Sequence, residues 1–188
     1  MRAFLAIPLP DPVRRAAAAS REVLATGDDG WRFVRDEGLH VTLRFLGEVD
    51  ASRRDAWDAA WREAARGVGP IALRLRGAAV FPPTGRPRVL ALGVIDETPD
   101  RLLLRLALRM ELAARAQGFA PEERPFAAHV TLARARSTAR VARPNVVRIG
   151  DCGAFVAEQV VFYRSEPDRG GSRYYEEASY PLIVERAT

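Results

Sequence analysis

The tetrapeptide HVTL occurs twice, at 40–43 and at 129–132, and these segments contain the only two histidines of the chain. At ordinary residue frequencies, a chance match of the three residues after each histidine has a probability below roughly one in a thousand. Alternate side chains of a β-strand point to the same face. The repeat therefore predicts two strands that each display a histidine and a threonine on one face, and a valine and a leucine on the core face.

The pattern of apolar residues around the two motifs predicts an α+β fold. Alternation predicts strands over 3–9, 31–34, 39–46, 71–81, 86–94, 128–134, 154–166 and 173–184, and helical spacing predicts helices over 11–27, 52–67 and 98–118. The motifs occupy similar places in two halves that no linker separates. We therefore expect one domain over residues 1–188, a duplicated unit of two pseudo-symmetric lobes. Two antiparallel sheets should flank a central cleft, with helices on the outer faces.

Two features of the second predicted helix can be tested directly. Ser52 and Asp55 have the spacing of a capping box at its start. Trp57, Trp61 and Ala64 recur at the helical period, so we expect them to face the core.

The composition favours an anionic partner. The net charge is +5, and all 29 basic side chains are arginine, whose planar donors suit phosphate. A GC-rich genome would give the same bias, so composition alone does not identify nucleic acid as the partner. The basic segment 135–150 could likewise be part of a phosphate-binding surface or a solvated loop.

Several classes of protein and of site are disfavoured. The single cysteine, Cys152, excludes an internal disulfide and a multi-cysteine metal site, and we expect it to be buried. No run of about 18 apolar residues predicts a membrane span, and the first residues do not have the order of a signal peptide. We expect a cytoplasmic protein without membrane contact.

Two histidines facing one cleft suit acid–base chemistry on a phosphodiester. A neutral imidazole can take a proton from an attacking water, and an imidazolium can give one to the leaving oxygen. Threonine hydroxyls can donate to the phosphoryl oxygens. A metal site is disfavoured because two histidines supply fewer ligands than most metal ions need. The remaining alternative is that both histidines are ordinary strand residues.

The doubled motif resembles that of the 2H phosphoesterase superfamily, which carries one H-h-T-h motif (h, apolar) in each half. Its flanks resemble those of the bacterial and archaeal RNA 2′,3′-cyclic phosphodiesterases, a family first named for 2′–5′ RNA ligase activity. The resemblance runs from about residue 2 to residue 184. The segments that carry it are FLAIPLP, LHVTLRFLGEV, RPRVLALGV, RPFAAHVTLARAR and FVAEQVVFYRSE.

The resemblance implies the roles of six residues. His40 and His129 match the catalytic pair, and Thr42 and Thr131 match the phosphate-binding threonines. The remaining two residues each follow a histidine by five positions: Arg134 matches an arginine that contacts the phosphate, and Phe45 matches an aromatic residue near the bound nucleoside.

Strict alternation argues against the last two roles. It places Phe45 on the core face and gives Arg134 the opposite parity to His129, so a bulge or a strand end must turn Arg134 toward the cleft. Ala128 stands where relatives usually have a proline, a departure that leaves the reacting groups intact.

The expected function is metal-independent hydrolysis of RNA 2′,3′-cyclic phosphate ends to 2′-phosphomonoesters, without a cofactor. The expected partners are RNA or nucleotides with such ends, and the expected state is a monomer. The sequence does not show which histidine is the acid and which is the base. Our working assignment is His129 as base and His40 as acid. The alternatives are 2′–5′ RNA ligation, action on a small cyclic or 2′–5′ nucleotide, and, from another class, a non-catalytic RNA-binding module.

Overall fold

The computed structural model describes residues 1–24, 30–136, 149–169 and 171–184, together with residues 141, 143 and 146. The predicted helix end at Gly27 and most of the basic segment 135–150 lie outside the described residues. The helices are α1 (Asp11–Leu24), α2 (Arg54–Ala65) and α3 (Leu102–Ala116). The strands are β1 (Arg2–Pro8), β2 (Trp31–Phe33), β3 (His40–Glu48), β4 (Ile71–Phe81), β5 (Val89–Asp96), β6 (His129–Ala135), β7 (Asp151–Ala157), β8 (Gln159–Asp168) and β9 (Gly171–Pro181).

The strands form one curled antiparallel sheet in the order β7-β4-β5-β6-β3-β1-β8-β9, which confirms the α+β class. We call β9, β8, β1 and β3 the β3 lobe, and β6, β5, β4 and β7 the β6 lobe. The lobes meet where Val41 of β3 pairs with Val130 of β6. Beyond that pair the strands separate, and β2 pairs with the far end of β6 instead. The two expected sheets are therefore joined at the HVTL motifs.

The β3 lobe draws its strands from both ends of the chain, whereas the β6 lobe is formed by strands from the middle of the chain. Strand β4 lies before the middle of the sequence but pairs with β5 and β7 in the β6 lobe. The hairpin of β8 and β9 comes last in the chain and pairs with β1 in the β3 lobe. The lobes therefore do not correspond to the two halves of the sequence.

The prediction of a single strand over 154–166 is wrong, because two strands occupy this segment. β7 ends at Ala157 and pairs with β4, whereas β8 begins at Gln159 and pairs with β1 in the other lobe. The carbonyl of Glu158, between them, accepts a hydrogen bond from the N–H of Leu182 at 2.7 Å. No glycine or proline marks this break, so the apolar pattern runs through it.

The helices cover the face of the sheet opposite the histidines. Helices α2 and α3 pack on each other, α3 also contacts β3, α2 contacts β9, and α1 packs against β7 and β6. Trp57, Trp61 and Ala64 are buried as predicted. None of the described helices combines the length and apolar character needed to cross a membrane.

The predicted capping box at α2 is wrong. The carboxylate of Asp50, not Ser52, accepts the first backbone bond, from the N–H of Ser52 at 3.0 Å. A short 3-10 turn over Ala51–Arg53 follows, and α2 begins at Arg54. The cap therefore precedes the predicted one by two residues.

Candidate active site

The two HVTL motifs lie side by side where the lobes join. Val41 and Val130 are directly opposed on antiparallel strands, and both are fully buried. The histidine and threonine on either side of each valine point to the other face and are half-buried. Because the strands are antiparallel, His40 lies toward Thr131 and Thr42 lies toward His129. The structure thus brings four predicted site residues together, with each histidine beside the threonine of the other motif.

Both imidazoles are held in the same way. Nδ1 of His40 is 2.8 Å from the carbonyl oxygen of Gly38, and Nδ1 of His129 is 2.7 Å from that of Ala127. A carbonyl oxygen only accepts, so Nδ1 carries a hydrogen in each ring. Nε2 is then the acceptor in the neutral ring and a second donor in the charged ring. Each histidine can therefore take up or give a proton through Nε2, and Nε2 of His40 lies 3.1 Å from Oγ1 of Thr42.

Aromatic rings surround His40. Phe4 stacks on it at 4.7 Å between ring centroids, Tyr174 meets it edge-on at 5.2 Å, and Tyr163 lies at 6.1 Å. Gly38 makes room for this packing, since a Cβ at that position would lie 3.1 Å from the Tyr174 ring.

Burial is the main cause that lowers the pKa of His40 from 6.5 to about 4. The hydrogen bond to Gly38 opposes this effect, while the charges of Arg134 and His129 add to it. A pKa of about 4 makes His40 neutral at pH 7.

His129 has different surroundings. The one ring that contacts it within the described part of the chain is Phe81, at 5.6 Å between centroids. Phe81 ends β4 and is 36% exposed. The two histidines thus have matching backbone contacts and unequal side-chain environments.

Matching irregularities after the motifs turn Phe45 and Arg134 toward the cleft. In the pairing of β3 with β1 the register skips Leu43, and in the pairing of β6 with β5 it skips Leu132. Each skipped leucine is the last letter of HVTL, and each skip reverses the faces of the residues that follow. Phe45 is consequently 49% exposed rather than packed in the core, and its ring lies 6.0 Å from that of Phe4. Arg134 receives the turn that its predicted role requires.

The residue before Phe45 is turned inward by the same irregularity. Arg44 is 5% exposed and pairs with Glu111 of α3 at 2.5 Å and with Glu122 at 2.9 Å. A buried arginine needs such partners to offset its desolvation. This contact ties the bulged part of β3 to the helix behind it, and sequence reasoning missed it.

A basic pocket adjoins the histidine pair. It is lined by Arg32, Arg35, Arg134, Ser172 and Tyr174, among others. Tyr174 links the pocket to the face that carries the two histidines, because the same ring contacts His40. Sequence reasoning missed Arg32, Arg35 and the rings around His40, whose positions depend on strands from both ends of the chain.

Donor groups for a metal ion are scarce at the site. In the part of the chain that the structure describes, no three His, Cys, Asp or Glu side chains come close enough together to hold a metal ion. Cys152 is partly exposed rather than buried as predicted, and partial burial and the charge of Asp151 raise the pKa of its thiol. It lies on β7, at the far edge of the β6 lobe.

Comparison with known proteins places this site in a family. A family described as LigT like Phosphoesterase matches residues 7–91, which include the first motif. The chain is 35% identical over 137 residues to an RNA 2′,3′-cyclic phosphodiesterase of Methanothermobacter thermautotrophicus, a match that covers 72% of each protein. It is 36% identical over 141 residues to the protein of that name from Thermus thermophilus, covering 74% of this chain and 71% of the relative.

Solved structures share the fold over nearly the whole chain. A crystal structure from Thermus thermophilus has a TM-score of 0.82 and 30% identity, with 99% of this chain and all of that chain covered. The Escherichia coli LigT complexed with 3′-AMP has a TM-score of 0.77 and 29% identity, with 96% and 97% covered. The chain therefore belongs to the LigT-like phosphoesterases of the 2H superfamily, a family of hydrolytic enzymes.

Proposed function

We propose that this enzyme hydrolyses RNA 2′,3′-cyclic phosphate ends to 2′-phosphomonoesters with His40 and His129 as an acid–base pair. One observation carries the proposal. Each imidazole is fixed through Nδ1 by a carbonyl two residues upstream, so that Nε2 is left for proton transfer beside two threonines. The names of the relatives supply the substrate class, since they are called RNA 2′,3′-cyclic phosphodiesterases.

The reaction needs one proton removed and one delivered. One neutral histidine accepts a proton from water as the water oxygen attacks phosphorus in line. The other, as imidazolium, donates its proton to O3′ as the P–O3′ bond breaks. The products are a 2′-phosphomonoester and a free 3′-hydroxyl, and a proton exchange with solvent resets the pair.

The neighbouring side chains serve the phosphate and the nucleoside. Thr42 and Thr131 donate hydrogen bonds to the phosphoryl oxygens while negative charge grows on them, and Arg134 supplies a fixed positive charge. Phe45 offers an exposed ring on the same face for the nucleoside. We propose that no metal ion takes part, because the pair and the threonines already cover both proton transfers and the phosphoryl charge.

Which histidine is the acid and which is the base depends on which of the two keeps its proton when phosphate binds. The surroundings of His40 favour it as the base, since its pKa of about 4 leaves it neutral at pH 7. The working assignment from sequence, His40 as acid, requires the phosphate anion to raise that pKa. A cyclic substrate with sulfur in place of O3′ separates the two orders, because a thiolate leaves without protonation. The sulfur substrate should restore activity to the alanine variant of the acid and not to that of the base.

The decisive experiment uses a short RNA with a 2′,3′-cyclic phosphate end, incubated with the enzyme in EDTA. We expect a 2′-phosphate product that is lost in His40→Ala and in His129→Ala. A wild-type rate in either variant would contradict the assignment of the two histidines as the catalytic pair. Loss of activity in EDTA that is restored by metal ions would contradict metal independence. Tight RNA binding without turnover would favour the non-catalytic module.

Two further activities use the same residues. In 2′–5′ joining, the 5′-hydroxyl of a second RNA attacks phosphorus in place of water, and the P–O3′ bond breaks as before; hydrolysis should dominate in water without an energy source. Turnover of a small cyclic or 2′–5′ nucleotide, but not of the RNA, would identify the other alternative.

The organisation of the protein is also a proposal. We propose one domain over residues 1–188 with two related lobes, a monomer, and a cytoplasmic location, which an RNA substrate favours. A single unfolding transition, a monomer mass in solution and cell fractionation test these points.

A further inference from the structure

We infer that the basic pocket beside the histidine pair binds the phosphate on the 5′ side of the terminal nucleoside, with Arg32 as its main ligand. The inference rests on the proposed function and specifies its substrate class. It predicts that the enzyme distinguishes an RNA end from a nucleoside cyclic phosphate that lacks this second phosphate.

The first observation is the pairing of two arginines. Arg32 of β2 lies directly opposite Arg134 of β6 in the antiparallel ladder, and both line the pocket. Directly opposed side chains on one face have Cβ atoms about 5 Å apart, and like charges at that separation repel each other. The neighbours of Arg32 on β2, Trp31 and Phe33, pair with Ala135 and Ala133 and point to the other face.

The second observation is the distribution of carboxylates. Arg35, also in the pocket, pairs with Asp168 at 2.7 Å. Arg32 and Arg134, by contrast, form no ion pair with any carboxylate among the residues that the structure describes. An exposed arginine pair that has no carboxylate partner among the described residues is suited to an anion from outside the protein, and guanidinium groups bind phosphate through paired hydrogen bonds.

The third observation is the position of the pocket relative to the reacting groups. Arg134 lies close enough to His40 for its charge to act on that ring, and Arg32 lies beside Arg134 on β2, which pairs with the same edge of β6 as β3 does. The side chains of Arg134 and Arg32 thus place two positive charges next to the histidine pair. A cyclic phosphate at the pair leaves Arg32 free for a second phosphate of the same chain. The hydroxyl groups of Ser172 and Tyr174, on the opposite wall, can donate to it.

The test compares adenosine 2′,3′-cyclic phosphate with the same nucleotide carrying a 5′-phosphate. For the wild-type enzyme we expect KM to be about tenfold lower with the 5′-phosphate, the size of one charge-assisted contact. The ratio of the two KM values should fall toward one in Arg32→Gln. It should stay near ten in Arg105→Gln, a matched control that removes one exposed arginine from α3, behind the sheet.

Three results would overturn the inference, and each differs from a failure of the proposed function. Equal KM values for both nucleotides in the wild type would mean that no second phosphate is bound. A ratio of KM values that is unchanged in Arg32→Gln would show that the phosphate binds elsewhere. An equal decrease of this ratio in Arg105→Gln would show that the effect comes from net charge alone. If the enzyme hydrolysed neither nucleotide and also failed to hydrolyse the RNA, the proposed function would be contradicted, and this inference with it.

Discussion

The ligand-free enzyme should hold His40 neutral well below the pH at which histidines usually titrate. Its ring lies among Phe4, Tyr163 and Tyr174, and burial lowers its pKa to about 4. The chain has only two histidines, so a nuclear magnetic resonance titration of the imidazoles contains two curves. The variant His129→Gln leaves one curve and assigns it without ambiguity. We expect that curve to have its midpoint closer to 4 than to 6.5.

The same burial has a cost in stability that can be worked out. The difference between the ordinary value of 6.5 and about 4 corresponds to about 3 kcal/mol at 1.36 kcal/mol per pH unit. The pKa is lower in the folded than in the unfolded chain, so the unfolded chain binds the proton first as the pH falls. The free energy of unfolding should therefore decrease by up to about 3 kcal/mol between pH 6.5 and pH 4, and this contribution should level off below pH 4.

Urea unfolding of the wild type and of His40→Gln at pH 7 and pH 4.5 measures this contribution. Carboxylates also titrate in acid, but they are common to both proteins, so the difference between the two isolates His40. We expect the wild type to lose more stability than the variant, by about 2–3 kcal/mol. Inorganic phosphate should raise the midpoint of His40. A midpoint between pH 6 and 7 without phosphate, together with equal acid losses in both proteins, would refute the argument from burial.

Substitutions at three further positions test the contacts around the site. Thr131→Val should lower kcat/KM about tenfold to a hundredfold, since the proposed donor to the phosphoryl oxygens is lost, while Thr131→Ser should keep most of the activity in steady-state assays. Phe45→Ala should raise KM more than it lowers kcat and leave the melting temperature nearly unchanged, because the ring is half exposed. Arg44→Met should lower the free energy of unfolding by about 2–3 kcal/mol, since Glu111 loses its buried partner, and unchanged stability in urea would show that the pair contributes little.

The repeated motif was enough to predict the strands and faces of the site. Each repeat contains a valine and a leucine two positions apart, so only one orientation of the strand buries both. Val41 and Val130 are buried in that orientation. Helical spacing likewise predicted the burial of Trp57 and Trp61. These predictions succeeded because they depend on local periodicity and on the burial of apolar side chains.

Features set by distant parts of the chain were not predictable in the same way. The break at Glu158 depends on where β4 and β1 offer pairing edges, and no turn residue marks it. The rings around His40 come from β1, β8 and β9, which meet only when the sheet forms. An irregularity before Arg134 could be expected only because the role implied for that residue required its side chain to change face. Pairing registers are properties of two strands, and one sequence segment specifies only its own alternation.

The two motifs are equal in sequence but not in what surrounds them, and this inequality suits a paired acid and base. Identical surroundings would favour the same protonation state for both rings, whereas the proposed reaction needs one neutral and one charged imidazole. Both rings have the same carbonyl contact, so the difference must come from elsewhere. The irregularity after each motif supplies part of it, since it presents Phe45 in one lobe and Arg134 in the other. The three rings around His40, against Phe81 alone beside His129 among the described residues, supply the rest.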